Sequence, residues 1–107
     1  MSLFKAESAA TITATGLSAG TSVVLAGVAG KQPWVTFHRL NEGALTSAAL
    51  HVGGVELRIV TADTTFDSMI VGAAGDAVEV VHAGAGADGS YSVTCGYVAT
   101  PGGARVS

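Results

Sequence analysis

Apolar and polar residues alternate with a period of two along most of this chain. Residues 55–60, VELRIV, show the pattern most clearly, because Val55, Leu57 and Ile59 alternate with charged residues. Successive side chains of a β-strand point to opposite faces, so this alternation is typical of a strand with one buried face. Nowhere do apolar residues recur at helical spacing over three turns. The pattern predicts an all-β chain.

About eight alternating segments follow one another, separated mostly by glycine-bearing breaks. They read SAATITAT, TSVVLAGV, KQPWVTFHRL, ALTSAALHV, VELRIV, TFDSMIV, AVEVV and SYSVTCGYV. Short strands at this spacing are typical of antiparallel sandwiches and barrels. No connection is long enough for the crossover helix that parallel strands need. Eight strands in about 90 residues predict an antiparallel β-sandwich that is jelly-roll-like.

The same pattern divides the chain into one domain and two terminal segments. We expect a single β-sandwich domain at 10–99, an N-terminal arm at 1–9 and a flexible C-terminal tail at 100–107. The alternation also assigns a core. Its predicted members are Ile12, Leu25, Val35, Phe37, Leu50, Val55, Leu57, Ile59, Phe66, Ile70, Val78, Val80, Val93 and Tyr97.

Charged residues make up only 12% of the chain, while hydrophobic residues make up 49%. Ordinary soluble domains carry roughly 25% charged residues. Because monomers rarely expose large contiguous apolar patches, this composition favours a surface that is covered in an assembly over a monomer coated with Ser and Thr. No apolar run approaches the ~20 residues of a membrane-spanning helix, and the first residues lack the pattern of a signal peptide. We therefore expect a protein made in a cytoplasm, with no membrane partner.

The basic residues are five in number and scattered, and the net charge is −3. Nucleic-acid surfaces need a basic stripe with interleaved aromatics, so no nucleic-acid partner is expected. The single cysteine, Cys95, lies in an alternating segment and is interpreted as a small buried apolar residue, not a nucleophile.

Two glycine-rich segments raise the question of a nucleotide site. Residues 84–89, GAGADG, fit the G-x-G-x-x-G pattern of dinucleotide loops, and residues 27–31, GVAGK, end in Gly-Lys. Both motifs work by opening a helix at the phosphate, whereas the residues after each segment here alternate as strands. We interpret GAGADG as a hairpin turn in which Asp88-Gly89 supplies the positive φ, and GVAGK as another turn. No cofactor is expected.

Three histidines, His38, His51 and His82, lie on three different predicted strands. Zinc sites usually show close ligand spacing, and this chain has no H-x-H, H-x-x-x-H or cysteine pair. Each histidine is interpreted as a polar or interface residue. Three strands can still converge in space, which leaves a zinc or nickel site as the alternative.

No group of residues indicates catalysis. Asp63, Asp67 and Asp76 have the wrong spacing for a calcium loop and are interpreted as solvated turn residues. There is no G-x-S-x-G motif and no locally supported Ser-His-Asp arrangement. Carbohydrate-processing sites are rich in aromatics, of which this chain has six. We predict a protein that is not an enzyme and has no metal.

Three pieces of the chain, in order, carry a resemblance to a known family. They are the turn and strand at 29–35, AGKQPWV, the step at 75–80, GDAVEV, and the terminal segment at 89–98, GSYSVTCGYV. Together they resemble a family of small structural proteins of tailed bacteriophages, over about residues 22–99. The resemblance implies a β-sandwich located on the virion, as a capsid decoration (cement) protein or a related head or tail component. The insert ALTSAALHVGG is longer and more apolar than the family pattern.

Composition and resemblance together predict a non-enzymatic virion protein that binds and stabilises the phage head lattice. Its expected partner is the major capsid protein or another virion protein, and it is expected to be a homo-oligomer, with a trimer favoured. The predicted interface residues are Leu3 and Phe4 in the arm and, as exposed apolar positions, Trp34 and Leu45. Two alternatives remain. One is a tail or fibre module that binds a host glycan through an exposed aromatic such as Trp34 or Tyr91; the other is a host-encoded β-sandwich interaction module.

Overall fold

The computed structural model describes residues 6–99, with side chains described from 10 to 98. This part of the chain contains nine strands and no helix, which confirms the all-β prediction. The ninth strand arises because the segment TFDSMIV forms two short strands instead of one. The strands are β1 (Ala6–Leu17), β2 (Gly20–Leu25), β3 (Lys31–Asn41), β4 (Ser47–Val52), β5 (Val55–Val60), β6 (Thr64–Phe66), β7 (Ile70–Val71), β8 (Val78–Ala83) and β9 (Gly89–Ala99).

The strands form two antiparallel sheets. The first sheet has the order β1-β9-β3-β6, with β7 also pairing to β3, and the second has the order β2-β8-β4-β5. The chain passes repeatedly from one sheet to the other, and the two four-stranded paths pack as the layers of a jelly roll. The predicted antiparallel sandwich is confirmed. β1 begins at Ala6, so residues 6–9 of the expected arm belong to the first sheet.

Alternating side chains from the two sheets meet in the core. On β8, Val78 and Val80 point inwards, and Val93 of β9 does the same from the facing sheet. Because successive strand residues point to opposite faces, each strand contributes every second side chain. The buried cluster consists of Val24, Val35, Leu40, Ala48, Leu50, Val52, Val60, Val78, Val80, Tyr91, Val93 and Cys95, with Ile12, Ala14, Leu17, Leu25, Phe66 and Ile70 packed against it.

The prediction that Phe37 lies in the core is wrong, because β3 contains a bulge. Val35 pairs with Cys95 and His38 pairs with Val93, so two residues of β3 oppose a single residue of β9. The extra residue reverses the alternation. His38 therefore faces the core and is fully buried, while Phe37 is 51% exposed.

The prediction that Val55, Leu57 and Ile59 lie in the core is also wrong. They are 58%, 38% and 58% exposed, while Val60 is buried in the core. The alternation of β5 is interrupted by a bulge. Val60 pairs with Ala48 and Arg58 with Leu50, so these two residues lie on the inner face and Ile59 points outwards. The bulge at Leu57 then shifts the phase, and Val55 pairs with Val52 at the exposed start of the strand.

The GAGADG segment is not the turn of a hairpin within one sheet. β8 pairs with β2 and β4, whereas β9 pairs with β1 and β3, so the loop crosses between the sheets. Asp88 has the expected positive φ, 67°. The loop rests on the β3–β4 connection, where the Ala44 amide donates to the Ala87 carbonyl at 2.9 Å. No helix follows the loop, so the feature that a dinucleotide site needs is missing from the described residues.

The GVAGK segment forms a turn, as predicted. The Lys31 amide donates to the Val28 carbonyl at 3.0 Å, and Gly30 has a φ of 77°. A glycine adopts this left-handed conformation without the Cβ penalty of other residues. The turn leads directly into β3.

Candidate interaction surfaces

Residues 6–99 form no pocket that could enclose a small ligand. In the same part of the chain, no three side chains among His, Cys, Asp and Glu are arranged to hold a metal ion. None of its segments is a helix long and apolar enough to cross a bilayer. The edges and outer faces of the two sheets are the surfaces described next.

Three exposed apolar side chains lie along β5, an edge strand of the second sheet. We call Val55, Leu57 and Ile59 the β5 strip; these side chains are 58%, 38% and 58% exposed. Among the described residues, no strand pairs with the outer edge of β5. Arg58 pairs with Leu50 and Glu56 pairs with His51 across β4, which leaves Leu57 as an extra, bulged residue. Bulges at sheet edges commonly redirect side chains.

The first sheet also exposes apolar side chains. Phe37 of β3 is 51% exposed, Met69 between β6 and β7 is 53% exposed and Val71 of β7 is 46% exposed. Single apolar residues of this kind are normal on a protein surface.

Arg58 holds the β5 strip in place from the inside of the sandwich. Its guanidinium carbon lies 5.1 Å from the centre of the Phe66 ring, and its terminal nitrogens donate to the Leu57 carbonyl at 3.0 Å and to the Ser68 hydroxyl at 2.9 Å. These contacts connect β5 of one sheet to the β6–β7 edge of the other. A cation over an aromatic face is attractive, and more so where water is excluded. These contacts restrain the backbone beside Leu57.

His38 extends this contact into the core. Its ring stacks on Phe66 at a centroid distance of 5.0 Å, and Nδ1–H donates to the Thr36 carbonyl at 2.5 Å. Nε2 is buried without a hydrogen-bond partner. Burial lowers the pKa of His38 from its ordinary 6.5; the Thr36 carbonyl opposes the change and the nearby Arg58 charge adds to it. The imidazole is therefore neutral at pH 7.

The three histidines lie in separate environments. His38 is in the core on β3, and His82 is in the core on β8, where Nε2 lies 3.1 Å from the Asn41 carbonyl and Nδ1 has no partner. His51 is half-buried on β4, with Nε2 3.7 Å from a carboxylate oxygen of Glu56. The described residues thus give no support to convergence of the histidines around zinc or nickel.

The predicted carboxylate group separates in the same way. Asp63 is exposed and forms a two-point ion pair with Arg39, at 2.7 and 2.5 Å. Asp76 is half-buried and accepts a hydrogen bond from the Ala73 amide at 2.8 Å. Asp63, between β5 and β6, and Asp67, between β6 and β7, are exposed as predicted, whereas Asp76 is half-buried.

The prediction that Trp34 and Leu45 are exposed is wrong, because they are 6% and 7% exposed. Trp34 pairs with Gly96 of β9 on one side and with Val71 of β7 on the other; a residue without a side chain leaves room for the indole. Leu45 packs against Gly89, where an added Cβ would lie 3.0 Å from its methyl group. Leu3 and Phe4 lie outside the described residues.

The two aromatic side chains suggested for glycan binding are not accessible to solvent. Trp34 is buried, and so is Tyr91, at 7% exposed. Glycan sites need an aromatic face open to solvent, and neither of these rings offers one.

β1 is the second feature that could bind a partner. The sequence pattern predicted this strand but not that it lies at the edge of a sheet. It has 12 residues and forms the outer strand of the first sheet, paired with β9 on one side only. Thr11 and Thr13 are exposed on its outer face, and Thr11 Oγ1 lies 2.8 Å from Thr94 Oγ1. Edge position depends on which distant strands pair, so alternation alone could not reveal it.

Comparison with protein-family models, with curated proteins and with solved structures finds no match to this chain.

Proposed function

We propose that this chain is a non-enzymatic structural protein that binds a repeating protein lattice through the β5 strip. The specific role is that of a capsid decoration protein on a phage head, as the sequence resemblance implies. One observation carries the proposal: three large apolar side chains are exposed along an edge strand. An isolated monomer gains no stability from exposing them, whereas a partner that covers them does.

The inner contacts of β5 support this role. Arg58 connects the strand to Phe66 and Ser68 and bonds the Leu57 carbonyl, which restrains the backbone of β5 before docking. Binding surfaces that are already ordered spend less of the interaction energy on ordering side chains and loops. A rigid sandwich with one apolar edge suits a protein that reinforces a shell by contact.

The size of the strip indicates that a single copy binds weakly through it. Full burial of a Val, Leu or Ile side chain contributes about 1.5–3 kcal/mol, and these three are already partly covered. The strip then contributes about 3 kcal/mol, less than the ~4–15 kcal/mol of freedom lost on association. Further contacts are needed, from a second site on the chain or from several copies held together. Linked copies bind much more tightly than single ones through avidity.

Co-sedimentation with phage heads that lack this protein tests the proposal. We expect Val55→Ser/Ile59→Ser to bind at least ~10-fold more weakly, because two partly exposed apolar side chains are removed from the contact. Val23→Ser is the matched control, since Val23 is also 58% exposed but lies on β2, the opposite edge strand of the second sheet. Thermal unfolding of each variant verifies that the fold is intact.

Two results would contradict the proposal. One is wild-type protein that does not sediment with heads. The other is a β5 double variant that binds as tightly as Val23→Ser.

The predicted role of Leu3 and Phe4 needs a separate variant. Removing residues 1–5 leaves β1 whole, because β1 begins at Ala6. If the arm is the second contact, the truncated protein stays folded and its occupancy on heads falls. Full occupancy of the truncated protein would exclude the arm from the mechanism.

A further inference from the structure

β1 has an unprotected edge. It is 12 residues long, longer than the five or six residues typical of strands, and one side of it has no neighbouring strand in the described chain. Natural proteins usually protect such an edge with charged residues, proline or bulges. In β1 the one charged residue is Glu7, and the pairing with β9 is irregular on either side of residues 10–14. Residues 10–14, ATITA, contain no charge, no proline and no bulge.

The centre of β1 reads the same in both directions. Residues 10–14 are ATITA, a sequence that is symmetric about Ile12. The pairing with β9 is regular through these five residues and shifts on either side, between Glu7 and Ala10 and again beyond Ala14. The regular part of the strand and the symmetric part of the sequence therefore coincide.

We propose that two copies of this chain pair through β1, antiparallel, with a two-fold axis at Ile12. In this register Ile12 lies opposite Ile12 of the second copy, Thr11 lies opposite Thr13, and Ala10 lies opposite Ala14. Each cross-strand pair joins residues of the same kind, and threonine pairs across strands are favourable. The chain already contains one such pair, Thr11 with Thr94, at 2.8 Å between hydroxyl oxygens.

The pairing satisfies the free backbone groups of β1 and joins the first sheets of the two copies into one. A two-fold contact uses the same patch on both copies and closes on itself, so it gives a dimer. It differs in this respect from the trimer expected from the sequence. The β5 strips stay uncovered, because β5 and β2 are the opposite edges of the second sheet and β2 follows β1 through a short turn.

Light scattering on the purified full chain tests the pairing without any lattice. We expect a mass of about 21 kDa, twice the 10.5 kDa of one chain. Thr11→Lys/Thr13→Lys places lysine opposite lysine twice at the two-fold axis, and like charges directly opposite one another are unfavourable. Thr11→Glu/Thr13→Glu does the same with carboxylates. We expect each variant alone to be a folded monomer, and an equimolar mixture to form a heterodimer, because each lysine then faces a glutamate.

Val55→Lys/Ile59→Lys is the matched control, with the same added charge on the opposite edge. This variant should remain a dimer but no longer attach to heads. The mass of the variant therefore tests the β1 pairing, and its attachment to heads tests the proposed function. The pairing is overturned by a wild-type protein that is monomeric up to about 1 mM or trimeric. A dimer that survives both threonine double variants also overturns it, as does a mixture that does not associate although each variant is folded.

Discussion

Acidification should weaken the fold through His38. The imidazole is fully buried on β3, stacked on Phe66, and burial lowers its pKa from 6.5. The unfolded chain therefore binds a proton more readily than the folded chain does. The stabilisation that comes from neutral His38 is complete above about pH 6.5 and is lost as the pH falls through the lowered pKa of the folded state.

The loss of unfolding free energy can be bounded, because unfolding allows His38 to bind one proton. Each pH unit between the unfolded and folded pKa values removes up to ~1.4 kcal/mol of unfolding free energy. Going from pH 6.5 to pH 5 then removes at most about 2 kcal/mol, a measurable part of the ~5–15 kcal/mol of a typical domain. A proton on Nε2 would also lie in a site that offers it no acceptor and close to the Arg58 cation.

Urea unfolding from pH 7.5 to 5 gives the measurement. His38→Gln should show a flatter dependence of unfolding free energy on pH than the wild type, whatever its absolute stability. If His38→Gln does not fold, His38→Phe keeps a ring against Phe66 and removes the titration. Parallel slopes for the wild type and the His38 variants would refute the reasoning.

Three further predictions concern the packing. Leu50→Ala should lower the unfolding free energy by about 2–5 kcal/mol because it opens a cavity in the core. Val55→Ala, at a side chain that is 58% exposed, should lower it by less than ~1 kcal/mol; urea titration of both variants separates core from surface. Gly43→Ala should destabilise more than Gly30→Ala in the same assay, since both glycines have positive φ but an added Cβ clashes with a facing loop only at Gly43; equal effects would contradict the loop contact. Cys95 is buried and its pKa is raised by burial, so a thiol reagent should modify it only after urea is added, and rapid labelling of the folded protein would show that the core is open.

The alternation of the sequence was enough to predict the fold class. Segments such as AVEVV and SYSVTCGYV became β8 and β9, because a strand needs only one apolar face to be placed in a sandwich. Val78, Val80 and Val93 are buried as expected. Tyr97 was also expected in the core but is only half-buried, with its hydroxyl bonded to the Ala26 carbonyl. The absence of any helix-length connection correctly excluded parallel strands. These inferences depend on local sequence, where the pattern is unambiguous.

The errors have causes that are not local. A single extra residue between Val35 and His38 reverses the alternation of β3. As a result His38 points into the core and Phe37 points to solvent. In β5, two sets of side chains were available for the core. The pairing of Val60 with Ala48 decides which residues face inwards at one end, and the bulge at Leu57 reverses the phase before Val55. Trp34 is buried because Gly96 lies beside it on a strand far along the sequence. The candidate surfaces could not be located for the same reason: an edge exists only once all the strands are paired.

The pairing of β1 with β9 also determines when the protein can fold during synthesis. The two strands lie at opposite ends of the described chain, with more than seventy residues between them in sequence. The first sheet therefore cannot close until β9 has left the ribosome, and the second sheet waits for β8 to fill the place between β2 and β4. Pairings between such distant segments form slowly because a long loop must close first. During synthesis, β1 therefore leaves the ribosome before its partner strand β9 exists. In that period, low concentration or chaperones must prevent β1 from pairing with other copies of the chain.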